Sequence, residues 1–234
     1  MAPDSSSIIG GITLVHSAFG DFFVPEETAL HEEVRETGGH ARSGLAMLSA
    51  RLGPGGTVLD IGAGVGMLAV PLQLRVGNAG RVWCFEPDAD AFRLLRWNLA
   101  VNGVDLLARA VAGDTWPRLD DWCRTAEVEH IDAIRIHGPA AAAALAERGR
   151  ETVETHLPLL LFTLPFGARP ATWDDGLLER QLPRLGYVLH WPATTINEEA
   201  NAEPALVTGP QAATDSASLL AVPARQELAG GLNE

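Results

Sequence analysis

The stretch Thr57-Val58-Leu59-Asp60-Ile61-Gly62-Ala63-Gly64-Val65-Gly66 runs a short apolar segment into three alternating glycines and then into Met67-Leu68-Ala69-Val70-Pro71-Leu72-Gln73-Leu74, a helix-forming run. Glycine removes the side chain where backbone turns tightly or approaches a ligand closely. A helix beginning after such a turn presents unpaired N–H groups. Strand, glycine turn and helix together form the opening unit of an open parallel sheet that carries its ligand at the C-terminal ends of the strands.

The rest of the chain fits that unit. Apolar runs near 57–61, 81–86, 104–111, 131–136, 158–163 and 186–190 read as strands, and helical periodicity falls near 65–76, 88–101, 118–126, 139–154 and 174–184. The alternation predicts an α/β fold with a mostly parallel sheet covered on both faces. Before it, residues 8–24 are rich in β-branched and aromatic types with Gly20-Asp21 as a break, which predicts a β-hairpin forming a cap or wall. After it, 192–216 is polar and loop-like, and Ser218–Val222 is a short apolar run suited to a final edge strand. The expected organisation is an N-terminal extension (1–40), one ligand-binding domain (41–223) and a tail (224–234).

Charge and composition narrow the partners. Seventeen basic against thirty acidic residues leave a formal charge of −13, which disfavours a general nucleic-acid or anionic-membrane binder and points to a small molecule. A second copy of the chain or another protein stays open as a partner. Cys84 and Cys123 are the only thiols, and the seven histidines show no metal-ligand spacing, so neither a disulfide framework nor a metal site is expected. With no cationic leader and no apolar run long enough to span a bilayer, the expected location is the cytoplasm.

Two ligand classes suit a glycine turn of this kind. A pyrophosphate-bearing nicotinamide or flavin needs a third glycine where this chain has Met67, to let helix and strand pack closely. Asp60, just before Gly62, would oppose a pyrophosphate but suits a ligand with an ammonium group and no phosphate: S-adenosylmethionine. It could bind the amino acid end directly, through water, or only orient the loop. Twenty residues past Gly66, the strand Arg81–Phe85 ends in Glu86, where a carboxylate accepts from ribose hydroxyls.

These residues, with Gly80–Asp88, Arg96–Gly103, Leu119–Trp122, Ile131–Ile136 and Ser218–Pro223, resemble the class I S-adenosylmethionine-dependent methyltransferases, specifically the FkbM family. The resemblance implies a Rossmann-like seven-stranded sheet with an antiparallel last strand, and a small-molecule methyl acceptor that is usually a hydroxyl. It also implies cofactor contacts from Asp60, Gly62, Ala63, Gly64, Gly66, Glu86, Pro87 and Asp88, and an adenine edge at Asp88 or around Ala110, Val111 and Ala112.

The departures fall on the acceptor side. Where the family carries a motif rich in carboxylates after the fourth core strand, this chain reads Arg135-Ile136-His137-Gly138-Pro139-Ala140. A glutamate common before the first core strand aligns with Ala41, and one at the end of the fifth with Thr163. For a hydroxyl acceptor His137 is the candidate base, since an ordinary imidazole with a pKa of about 6.5 can take a proton near neutrality. Arg135 is a candidate for binding an acidic substrate, or else pairs with the nearby Asp132. His40 is a candidate contact near the methyl group. The expected activity is O-methylation of a small polar metabolite or sugar. The alternative is a catalytically retired relative that keeps the cofactor as part of an interaction or sensing module.

Overall fold

A computed structural model of the chain describes residues 11–105, 107–111, 118–163, 181–192, 206–207 and 218–226. The N-terminal strands β1 (Ile12–Ser17) and β2 (Gly20–Pro25) pair antiparallel as a separate two-stranded sheet. The turn is Ala18-Phe19, two residues earlier than Gly20-Asp21, because Gly20 with a φ of 134° opens β2 instead of forming the bend.

Next come α1 (Ala29–Thr37), α2 (Arg42–Ser49), β3 (Thr57–Ile61), α3 (Ala69–Val76), β4 (Arg81–Phe85), α4 (Ala89–Val101) and β5 (Arg109–Val111). They are followed by α5 (Leu119–Thr125), β6 (Ala133–His137), α6 (Gly138–Arg148), α7 (Arg150–His156), β7 (Leu159–Thr163), α8 (Leu182–Arg184), β8 (Tyr187–Pro192), β9 (Leu206–Val207) and β10 (Ser218–Pro223). The strand order is β5-β4-β3-β6-β7-β10-β8-β9, with the two-residue β9 added at one edge of seven longer-range partners. Strands β3 to β7 are parallel; β10 is antiparallel to both β7 and β8. The last long strand is therefore interior and not at the edge. Its six residues are all buried, which suits a position between two partners.

Three other expectations shift for local reasons. Helix α3 starts at Ala69 and not near 65, because Gly64 and Gly66 hold φ of 55° and 90°, outside the α-helical region. The helix expected over 139–154 breaks at Gly149 into α6 and α7. Only Arg109–Val111 of the run 104–111 is strand, since the N–H groups of Leu107 and Ala108 fold back on the Val104 carbonyl. Most of the segments 174–184 and 192–216, and the tail after 226, lie outside the described residues.

Strand parity sorts the core. Val58, Val82, Ala133, Leu161 and Leu220 face the layer built from the hairpin and α1 to α4. Leu59, Phe85, Ile134, Leu160 and Leu219 face α5 to α8. With a side-chain period of two, Asp60, Arg135, His137 and Thr163 share the first of these faces. Chain order turns back between β3 and β6, the switch point at which an open α/β sheet leaves a crevice beyond its strand ends. No helix among the described residues is long and apolar enough to cross a membrane.

Candidate active site at the switch point

At the crevice the glycine turn is pinned from both sides. The N–H groups of Gly62 and Ala63 donate to the Phe85 carbonyl at 2.9 and 3.1 Å, and Gly66 N–H closes onto Ala63 O at 2.9 Å. Glu86, at the tip of β4, accepts from Gly64 N–H at 2.7 Å and from Asp88 N–H at 2.9 Å. A Cβ at Gly64 would meet nothing within 4 Å, so the loop borders open space there. Burial raises the Glu86 carboxyl above its ordinary pKa, while the two backbone N–H groups partly counter it. Asp88 is exposed and caps α4 by accepting from Asp90 and Ala91 N–H.

Below the turn lies a buried polar chain. Arg135 Nη1 donates to Asp60 Oδ1 at 3.0 Å and to Gly62 O at 2.6 Å, so the guanidinium ties strand β6 to the glycine loop. Asp60 and Arg135 are register partners, 0% and 2% exposed. Asp132, the alternative partner for Arg135, instead accepts from Thr57 N–H at 2.8 Å and pairs with His130 at 3.3 Å; it lies three residues back along the chain, at the opposite end of β6. Burial raises the Asp60 carboxyl and Arg135 opposes that shift. Asp60 Oδ2 and Arg135 Nε are buried without a hydrogen-bond partner among the described residues.

The chain continues to His40 and Glu33. His40 Nε2 lies 3.3 Å from Arg135 Nη2, and its Nδ1 lies 2.6 Å from Glu33 Oε2. Nδ1 thus faces the glutamate and Nε2 faces the guanidinium. Glu33 Oε1 also accepts the N–H of Ala41 at 2.9 Å. Ala41 has φ 46°, a left-handed conformation costing about 1–2 kcal/mol for an L-residue, and the buried carboxylate holds it at the N-terminus of α2.

Glu33 escaped the sequence reading, yet Leu30, Glu33, Val34 and Thr37 form an i, i+3, i+4, i+7 stripe that turns this glutamate toward the core. Glu33 thus bonds the backbone of Ala41 and places a carboxylate in the wall of the adjoining pocket.

A pocket of about 500 Å³ opens over these groups. Its polar wall is Glu33, His40, Arg135 and His137; the glycine loop from Gly62 to Val65 forms one side, and Ala29, Leu30, Met67 and Leu68 form an apolar rim. His137 Nδ1 sits 2.9 Å from Thr163 Oγ1, and its ring meets that of His40 edge-on at 5.7 Å. Burial first, then the Arg135 and His40 charges, push the His137 pKa down to about 2. The near-neutral basicity expected of an ordinary histidine is lost, because the ring is desolvated and no carboxylate among the described residues contacts it.

Structure thus brings Gly62, Ala63, Gly64, His40, Arg135 and His137 to one pocket, with Asp60 directly beneath. Glu86, Pro87, Asp88, Ala110 and Val111 do not line it; they belong to the ends of β4 and β5 on the other side of the loop, and Ala112 lies outside the described residues. Gly66 packs against Leu95, so its part is internal to the loop. No three His, Cys, Asp or Glu among the described residues converge as a metal site.

This sheet order, glycine turn and strand-tip acid define the class I methyltransferase fold. A family model described as the methyltransferase small domain matches residues 43–123, a stretch that contains the turn and Glu86. The narrower FkbM likeness rests on sequence motifs alone. The chain is 37% identical over 106 residues to the ribosomal protein L11 methyltransferase of Pelotomaculum thermopropionicum, covering 45% of this chain and 34% of that one. It is 44% identical over 55 residues to a protein of Sulfurisphaera tokodaii assigned as a cobalt-precorrin-6B C(15)-methyltransferase (decarboxylating), covering 24% and 29%. The match thus spans about a third of the length of these relatives. Among solved structures, Aeropyrum pernix fibrillarin, crystallised with natively bound S-adenosyl-L-methionine, superposes with TM-score 0.51 at 15% identity over 91% of this chain and 83% of that one. A Pyrococcus horikoshii protein described as a transferase gives 0.52 at 14% identity over 91% and 72%.

Proposed function

We propose that this chain is an S-adenosylmethionine-dependent methyltransferase whose cofactor lies over the Gly62–Gly66 turn, with its ribose on Glu86. The observation that carries the reading is the glycine turn itself: Gly64 borders open space, Glu86 at the tip of β4 holds its N–H, and Asp60 Oδ2 beneath the turn is buried with no hydrogen-bond partner among the described residues. S-adenosylmethionine, with a sulfonium, an ammonium and a carboxylate, brings cationic groups to these acids. A pyrophosphate would be repelled at the same place.

When bound, the cofactor supplies an electrophilic methyl group on sulfur. The chain's own residues position and desolvate. Arg135 holds the Gly62 carbonyl, Glu86 fixes the Gly64 N–H, and the apolar rim excludes water. His137 is not a strong base, because burial holds it far below neutrality. Catalysis therefore rests on in-line alignment, which can supply on the order of 7–11 kcal/mol. His137 orients the acceptor through hydrogen bonding. The acceptor is a small polar group nucleophilic without strong-base help, so oxygen methylation is confined to acidic hydroxyls. The partial relatives methylate a protein or a cobalt-precorrin carbon by their names, and both acceptors belong in the assay.

Calorimetry with S-adenosylmethionine and NAD tests the cofactor. Asp60→Asn and Glu86→Ala should each weaken S-adenosylmethionine by roughly 1–3 kcal/mol, about 5- to 150-fold. Binding of NAD in its place, or unchanged affinity in both variants, rejects the site. Labelled cofactor incubated with metabolite extracts and with ribosomal protein then reports transfer. A tight cofactor complex without turnover on any acceptor would favour the retired module.

A further inference from the structure

The seventeen basic residues of this acidic chain are all arginines, and three of them gather on one flank far from the buried network. Along α4 the exposed stripe is Arg93, Arg96, Trp97 and Ala100, the i, i+3, i+4, i+7 positions opposite the buried Leu94, Leu95, Asn98 and Leu99. Between this stripe and β5, the edge strand of the sheet, runs a groove of about 950 Å³ that Arg109 and Asp105 also line. Trp97 is 53% exposed, and its ring is steadied edge-on by Phe23 at 6.4 Å. Arg93 is held by Asp90, whereas Arg96 and Arg109 have no ion-pair partner among the described residues.

An exposed indole offers a flat apolar face on which a planar ring can stack. Two unpaired guanidiniums beside it suit anions that accept two parallel hydrogen bonds, phosphate among them. We propose that the groove between α4 and β5 binds single-stranded nucleic acid, with a base stacked on Trp97 and successive backbone phosphates paired to Arg96 and Arg109. Asp105 supplies an acceptor for a base amino group or a sugar hydroxyl. The charge of −13 opposes a general polyanion binder and not a site for two phosphates, since at physiological salt charges beyond about 8 Å are screened. Nothing here rests on the pocket above β3; the groove shares Ala110 with the expected adenine edge, while Trp97, Arg96 and Arg109 belong to it alone.

Fluorescence anisotropy of the full chain with a labelled oligouridylate of about a dozen nucleotides, at low salt, is the test. Binding is expected, with log K falling against log salt at a slope of about −1.4, as for two phosphates on a single strand. Trp97→Ala should weaken it about tenfold, the scale of one lost stacked base. Arg96→Glu with Arg109→Glu should weaken it by at least that much and flatten the slope, with an unchanged melting temperature. Both arginines are exposed, so the pair decides the matter even where Trp97→Ala loosens the hairpin. No binding, indifference to the arginine pair, or equal affinity for an acidic peptide, a duplex or a free mononucleotide would overturn the proposal.

Discussion

His137 shows how little a residue's type says about its chemistry. Next to a carboxylate its proton affinity would rise; buried beside Arg135 and bonded to Thr163 it falls to about 2. The depressed folded value has a sign that can be measured. Stability from this group is fully present above the ordinary 6.5 and is lost as pH falls from there toward 2, because the unfolded chain takes the proton first. Between about pH 7 and pH 5 the urea midpoint of the native chain should therefore drop further than that of His137→Gln. Equal drops would assign the titration to another group. Glu33 makes the opposite point: a helical glutamate that composition would place in solvent is 0% exposed and orders a histidine and a left-handed alanine.

Among the elements, the glycine turn couples folding to binding, and its glycines are not equivalent. At Gly66 a Cβ would meet Leu95 Cδ1 at 2.8 Å on a backbone of φ 90°, so Gly66→Ala should cost about 1–3 kcal/mol of stability. At Gly64 the same atom meets nothing and φ is 55°, so Gly64→Ala should cost about 1–2 kcal/mol of stability, while cofactor affinity falls at least tenfold because the methyl occupies the ligand's space. Thermal unfolding and calorimetry on the two variants separate these effects. Comparable affinity losses in both would mean that the loop acts only through its fold.

The hairpin packs on α4, and its anchor is Asn98. The side chain of Asn98 accepts from Phe23 N–H at 2.8 Å and donates to Phe23 O at 3.0 Å and Val65 O at 2.8 Å, joining hairpin, α4 and glycine loop. Element existence was legible because burial imprints a period of two or near four on the chain. Boundaries were not, because they turn on local events such as the break at Gly149 and the turn at Val104.

For the molecule as a whole, the decisive placement is β10. Lying between β7 and β8, it completes two ladders with residues that come last in the described chain. A chain ended before Ser218 should lose the cooperative unfolding transition seen by circular dichroism and expose the β7 edge to aggregation. Retention of a sharp transition at an unchanged temperature would make β10 dispensable. The same strand also holds α2 in place, for a Cβ at Gly44 would strike Ser218 Oγ at 2.5 Å, and α2 carries Ala41 at its head. Stability of the C-terminal strand and geometry of the pocket are thus linked through one helix.

By itself the sequence determined the α/β alternation, the glycine turn after β3 and the acid at the tip of β4, because each is written in consecutive residues whose spacing a strand or turn imposes. Only the tertiary structure decided that Arg135 pairs with Asp60 and not Asp132, that Glu33 is buried against the backbone of Ala41, that His137 is a poor base and that the last long strand is interior. These facts depend on contacts between residues 8 to 95 positions apart and on the loss of water around them. Chain spacing does not encode either.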